Sequence, residues 1–162
     1  MEIRSMTAAD WPEVRRIYLE GIATGIATFQ QSAPEYEEWD RGHLRDCRLV
    51  AVERERVLGW TALSATSSRP VYRGVVEVSL YVGADSRGQG VGKALLTRLI
   101  EDSEAAGYWT LMSAVFEENA ASRALHRSCG FREVGCREKI AVGADGNWHN
   151  TILIERRSPK IR

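Results

Sequence analysis

The stretch Asp85–Leu96, DSRGQGVGKALL, packs three glycines into the five residues from Gly88 to Gly92 and then turns helical in pattern. Glycine fixed just before a helix is entropically costly, and the usual compensation is an anion that must approach the backbone closely. Two better-known phosphate patterns fail on spacing. A Walker A loop has four residues between its first glycine and the Gly-Lys pair, then Ser or Thr. Here three residues separate Gly88 from Gly92, and Ala94 follows Lys93. A dinucleotide fingerprint reads G-x-G-x-x-G in an opening βαβ unit, whereas this G-x-G-x-G lies mid-chain. What remains is an R-G-x-G-x-G turn between a strand and a helix. Free N–H groups and the positive end of a helix dipole converge in such a turn, and Arg87 and Lys93 add charge. It suits a pyrophosphate. A ligand-free turn is the plain alternative, and it leaves the glycines without a reason.

Outward from this loop the elements follow. Val75–Val82, VVEVSLYV, is the most strand-like segment of the chain, and residues 91–107 place Val91, Leu95, Leu96, Leu99 and Ile100 on one helical face, with Gly107 as the stop. Towards the N-terminus, EIRSM alternates like a strand. TAADWPEVRRIYLEGI reads as a helix that Thr7 or Asp10 can cap, with Pro12 in its first turn. Residues 23–34 break the periodicity and read as a loop, Pro34–Cys47 as a second helix, and 48–65 as a hairpin turning at ERER. Towards the C-terminus come a strand in WTLMSAV and a short helix that Asn119 can cap and Gly130 can end. Two more strands, FREVGCREKIAV and WHNTILIERR, flank the turn GADGN. The order β α α β β β α β α β β predicts an α/β (α+β) fold, with a mixed, partly antiparallel sheet and helices on both faces.

Composition narrows the function classes. With 162 residues the chain is expected to form one domain over 1–162. Lys plus Arg equals Asp plus Glu at 22 each, which disfavours nucleic acid and anionic lipid as partners. The three cysteines, Cys47, Cys129 and Cys136, form no C-x-x-C pair, and among the scattered histidines only His43, with Cys47, has a cysteine at i,i+4 spacing. No metal site is expected, and a reducing cytoplasm suits the free thiols. The N-terminus lacks an apolar signal segment and no run approaches membrane-spanning length, so a soluble cytoplasmic protein with no membrane partner is expected.

Glu77 stands out within its strand. Val76, Val78, Leu80 and Val82 share one face, while Val75, Glu77, Ser79 and Tyr81 share the other. A mid-strand carboxylate among apolar neighbours is either a solvent-facing group on an edge or a group held for chemistry.

VVEVSLYVGADSRGQGVGKALL followed by NAASRALHRSCGF resembles the GCN5-related N-acetyltransferase superfamily, and within it the phosphinothricin and methionine sulfoximine N-acetyltransferase group. DWPEVRRIYLEGI, YRGVVEVSLYV and GNWHN extend the similarity over nearly the whole chain. The resemblance implies a six- or seven-stranded sheet that splays open between VVEVSLYV and WTLMSAV, acetyl-CoA as co-substrate, no metal, and a homodimer. It implies that Arg87, Gly88, Gln89, Gly90, Val91, Gly92 and Lys93 hold the pyrophosphate. Leu80, Tyr81 and Val82 pair with the pantetheine and hold the thioester carbonyl. Asn119 bonds the pantetheine arm, a role compatible with helix capping.

Acetyl transfer to an amine needs the amine deprotonated, the carbonyl polarised and the leaving thiolate protonated. The resemblance makes Glu77 the base, directly or through water. Many superfamily members carry Tyr seven residues after the Asn. Here that position is His126, which can donate a proton or can simply be a surface histidine favoured by its helix C-terminus. Some relatives follow the catalytic Glu with His, whereas this chain has Val78. Arg73, just before the Glu77 strand, can hold a substrate carboxylate bidentately or be a surface charge. Phe29, Tyr72 and Trp148 can wall the acceptor pocket, or serve as core or dimer contacts. The expectation is an acetyl-CoA-dependent N-acetyltransferase acting on a small amino-acid-like amine. A silent acyl-CoA sensor and a protein acetyltransferase are the alternatives.

Overall fold

The strands that the sequence marks by alternation all form. A computed structural model describes residues 1–162. Its elements are β1 (Glu2–Ser5), α1 (Trp11–Ala23), α2 (Tyr36–Gly42), β2 (Leu49–Glu53), β3 (Arg56–Ala65) and β4 (Val75–Val82), followed by α3 (Val91–Ala105), β5 (Thr110–Phe116), α4 (Ala120–Ser128), β6 (Arg132–Val142) and β7 (Trp148–Arg157). One seven-stranded sheet runs β1-β2-β3-β4-β5-β7-β6. Every pairing is antiparallel except β4 with β5, which is parallel.

The sheet separates two cores. On one face α3 and α4 cover Leu49, Leu63, Val76, Val78 and Leu111, with Leu95, Leu96 and Leu99 wholly buried beneath the helices. Truncating one of these leucines to Ala removes about 2–5 kcal/mol. On the other face α1 and α2 cover Val50, Trp60 and Ala62 with Trp11, Val14, Ile17 and Trp39. The alternation in β4 places Val76 and Val78 in the first core and turns Tyr81 towards the second, against Trp60 at 5.1 Å between ring centroids.

Two local expectations are corrected. Neither Thr7 nor Asp10 caps α1 through its side chain. The Asp10 carboxylate instead takes both guanidinium N–H groups of Arg4 at 2.8 Å and the Thr7 N–H at 2.8 Å, closing a 3-10 turn that leads into the helix. The second helix ends at Gly42 rather than running to Cys47, because His43 is extended and the Leu44 N–H leaves for the Leu63 carbonyl on β3 at 2.8 Å. β3 outcompetes the last helical turn.

Candidate active site

The parallel β4–β5 pair holds only from Val75↔Thr110 to Glu77↔Met112, and beyond Glu77 the two strands diverge. β5 leaves to pair with β7 along its whole length, while β4 stays with β3 as far as Gly59↔Val82. A cleft of about 990 Å³ opens between them. The Ser79 carbonyl accepts from the Thr61 hydroxyl on β3, and the Gly83 N–H donates to Leu58 on the same strand. By strand alternation, Val78, Leu80 and Val82 therefore turn their main-chain groups the other way, into the gap. The Val82 carbonyl takes the Arg87 Nε–H at 3.4 Å, and the edge around Leu80, which pairs with no strand, is a template for an extended ligand carrying amides.

The glycine loop closes one end of this cleft. Gly88 and Gly90 adopt φ of +75° and +82°, the left-handed region that glycine enters without strain. The first intrahelical bond of α3 runs from the Ala94 N–H to the Gly90 carbonyl, so the N–H groups of Val91, Gly92 and Lys93 have no helical partner. They open onto the cleft, which Arg87, Gly88 and Lys93 also line. Gly92 serves a different need, since a Cβ there would stand 3.0 Å from Leu125 on α4. Gln89 does not line the cleft and donates its amide to the Asp85 carbonyl.

α4 forms the opposite lip. Asn119 caps it by accepting from the Ser122 N–H at 3.1 Å, and its amide donates to the Ile26 carbonyl at 3.3 Å, tying the helix to the 24–35 loop. His126 is not a surface residue: it is 4% exposed, edge-on to Phe131 at 5.0 Å. Its Nδ1 faces the Ser122 carbonyl at 2.7 Å, which makes it the protonated nitrogen, while Nε2 is buried without a partner. Burial lowers its pKa and keeps the ring neutral.

Glu77 lies deeper along the cleft, where β4 and β5 begin to part. It opens into the cleft, yet desolvation by the surrounding walls pushes its carboxyl above the ordinary carboxylate range. No cation holds it ionised in a fixed pair, which leaves it free to exchange a proton. Beyond it the lining passes to Phe29, expected from the sequence, to Trp39 of α2, and to residues that sequence reasoning missed: Thr28 from the aperiodic loop, Glu38 and His43 from α2 and its exit, and Ser64 from β3. Phe29 rests on Phe116 at 4.4 Å.

Of the sequence-predicted residues, Glu77, His126, Leu80, Tyr81, Val82, Arg87, Gly88, Gly90, Val91, Gly92, Lys93, Asn119 and Phe29 converge on this cleft. Arg73, Tyr72 and Trp148 do not line it. The Arg73 guanidinium lies over the Trp109 ring at 5.4 Å, and Tyr72 and Trp148 are 47% and 62% exposed. No group of three His, Cys, Asp or Glu side chains gathers as a metal ion would require. His43, four residues before Cys47, turns Nδ1 to the Trp39 carbonyl instead.

Comparison with known proteins agrees with this geometry. The sequence pattern of the acetyltransferase (GNAT) family matches residues 6–131. The chain is 31% identical over 160 residues to the phosphinothricin N-acetyltransferase of Alcaligenes faecalis, covering 95% of this chain and 81% of that protein. It is 32% identical over 139 residues to an L-methionine sulfoximine/L-methionine sulfone acetyltransferase of Pseudomonas paraeruginosa, covering 82% and 81%. A phosphinothricin acetyltransferase from Sinorhizobium meliloti, solved in complex with acetyl-CoA, superposes with a TM-score of 0.86 at 30% identity over 96% of this chain and 87% of that one.

Proposed function

Because the chain belongs to the acetyltransferase (GNAT) family, we propose that it transfers the acetyl group of acetyl-CoA to the amino group of a small amino-acid-like acceptor, with Glu77 as general base. One observation carries this reading: a single cleft runs from the unpartnered N–H groups of the glycine loop, along the open edge of β4, to Glu77. The residues fit the co-substrate. N–H groups from Arg87 to Lys93 would take the pyrophosphate, Leu80 and Val82 would pair with the pantetheine amides while the main chain of Tyr81 faces β3 instead, and Asn119 would face that arm from the other lip.

Acetyl-CoA supplies the activated thioester, in which the acceptor nitrogen replaces sulfur on the acetyl carbon. The chain's own residues do the rest. Glu77 takes a proton from the acceptor ammonium, directly or through one water, and its raised pKa makes it a better base than an ordinary carboxylate. The N–H of Leu80 meets the charge growing on the carbonyl oxygen, a contact worth about 3 kcal/mol in comparable sites. His126 enters as the candidate acid for the thiolate. In its resting form Nε2 bears a lone pair, so it must gain a proton before giving one, and burial opposes that. The acceptor sits beyond Glu77, walled by Phe29. Phe29 and Trp39 line that end, and aromatic walls suit a small molecule better than a peptide.

A homodimer in the cytoplasm completes the proposal. Val71, Tyr72 and Trp148 are large, apolar and exposed, as residues covered by a second copy would be, and all three cysteines are free. No helix is long and apolar enough to cross a membrane.

Free-thiol release from acetyl-CoA, measured over a panel of amino-acid analogues and simple amines, tests the function. Saturable turnover on a carboxylate-bearing analogue is expected. Tight acetyl-CoA binding with no turnover on any amine would replace this reading with that of a silent acyl-CoA sensor.

A further inference from the structure

The acceptor end holds a second nitrogen base that the proposed chemistry does not use. Because the Leu44 N–H joins the Leu63 carbonyl, His43 is anchored beside β3. Its ring lies flat on Trp39, with centroids 4.2 Å apart and planes 21° apart, and edge-on to Trp60 at 6.4 Å. Trp60 and Ser64 lie on the same face of β3, and Ser64 is the register partner of Glu77. His43 and Glu77 therefore look into the cleft from the same side of the sheet, and both line it.

The tautomer is fixed by the backbone. Nδ1 lies 2.7 Å from the Trp39 carbonyl, which can only accept, so Nδ1 carries the proton and Nε2 the lone pair. With the Nδ1 edge turned back onto α2, the opposite edge of the ring faces outward. Nε2 has no partner within the protein, yet it is not sealed like that of His126. Burial is the main cause that lowers the His43 pKa, and repulsion from Arg48 adds to it, so the lone pair is held at neutral pH. Arg48 itself is occupied by Asp40 and by the Leu44 and His43 carbonyls. Glu38, exposed at the same rim, adds negative charge. Neither His43 nor Glu38 offers a hydrogen-bond donor to an acceptor's distal group.

We propose that His43 is a specificity-determining residue of the acceptor pocket, whose Nε2 accepts a hydrogen bond from an N–H donor at the end of the acceptor remote from its amino group. This rests on the amino-acid acetyltransferase reading and narrows its substrate class. An acceptor with a distal N–H is preferred over an isostere that presents only oxygens, because the oxygens would face a lone pair. Methionine sulfoximine and methionine sulfone form such a pair: they differ by one N–H against one oxygen on the same sulfur. Phosphinothricin, whose phosphinate is an anion with two accepting oxygens, ranks with the sulfone.

The test is the ratio of kcat/KM for methionine sulfoximine to that for methionine sulfone, measured on wild type, His43→Phe and His43→Gln. A ratio is insensitive to the fraction of enzyme that folds, and Phe preserves the stack on Trp39. Wild type should favour the sulfoximine by about three- to tenfold, the worth of one hydrogen bond. The ratio should fall to about one in His43→Phe and be partly restored in His43→Gln, whose amide oxygen can accept. A wild-type ratio near one overturns the proposal, and so does a preference that survives unchanged in His43→Phe. If wild type binds acetyl-CoA and acetylates neither molecule, the amino-acid reading itself falls, an outcome distinct from equal turnover of both.

Discussion

The two ends of the cleft are built by different means. The glycine loop and β4 are local constructions: three glycines, a strand and a helix start fall within about twenty residues of sequence. The acceptor end draws Phe29 from a loop, His43 from a helix exit, Ser64 from β3 and Glu77 from β4. The first end recognises backbone-scale chemistry, a pyrophosphate and a chain of amides, so main-chain groups suffice. The second must tell one small amine from another, which takes side chains at positions set only by tertiary packing. One end can therefore remain while the other is retuned.

Substitutions can break or sharpen that contrast. The largest effect belongs to Glu77→Gln, which should lower kcat by about a hundredfold or more in thiol-release assays. The same change should leave stability intact or improve it. A carboxyl whose folded pKa is raised stabilises the fold below its unfolded pKa, and ionising it becomes a cost as pH rises through the folded value. Thermal unfolding at pH 7 should thus show Glu77→Gln melting no lower than wild type. For the same reason, the acid limb of kcat/KM should lie above the ordinary carboxylate value of 4.5.

At the other end, Gly90→Ala puts a side chain at φ +82°, a strain of about 1–2 kcal/mol, in a turn that must present its N–H groups. Acetyl-CoA affinity should fall by about tenfold in calorimetric titration, with the acceptor KM little changed. Asn119→Ala removes the α4 cap and the tie to Ile26; about 1 kcal/mol of stability and a few-fold rise in the acetyl-CoA KM are expected. His126→Phe should cost less than about tenfold in kcat at pH 8, since a neutral, buried imidazole is a poor proton donor. A loss near that of Glu77→Gln would make it the acid. Arg73→Ala is the smallest: with its guanidinium on Trp109, the acceptor KM should move less than about threefold.

Legibility in the sequence followed the same division. The succession of elements along the chain, the glycine loop and the Glu77 face were readable because period-two alternation and glycine spacing act over a few residues, whereas the β5-β7-β6 order of the sheet was not. The end of α2 was not, because Gly42 and His43 yield to a hydrogen bond from β3, a partner about twenty residues away. For His126 the sequence left two readings open, a proton donor and a surface histidine near a helix terminus; α4 lays that turn onto Phe131 and removes the second. Arg73, Tyr72 and Trp148 drew notice by residue type, yet the fold turns them away from the cleft within one chain. His43 carried no signal beyond its spacing from Cys47, and only the Trp39 stack and the fixed tautomer give it meaning.

The most direct measurement pairs acetyl-CoA binding with turnover on one preparation of Glu77→Gln beside wild type, using calorimetry for the first and thiol release for the second. Affinity within about twofold of wild type, with kcat down by about a hundredfold or more, is the predicted result, since the base stands apart from the loop that holds the co-substrate. Full turnover in the variant, or loss of binding and turnover together, would contradict it.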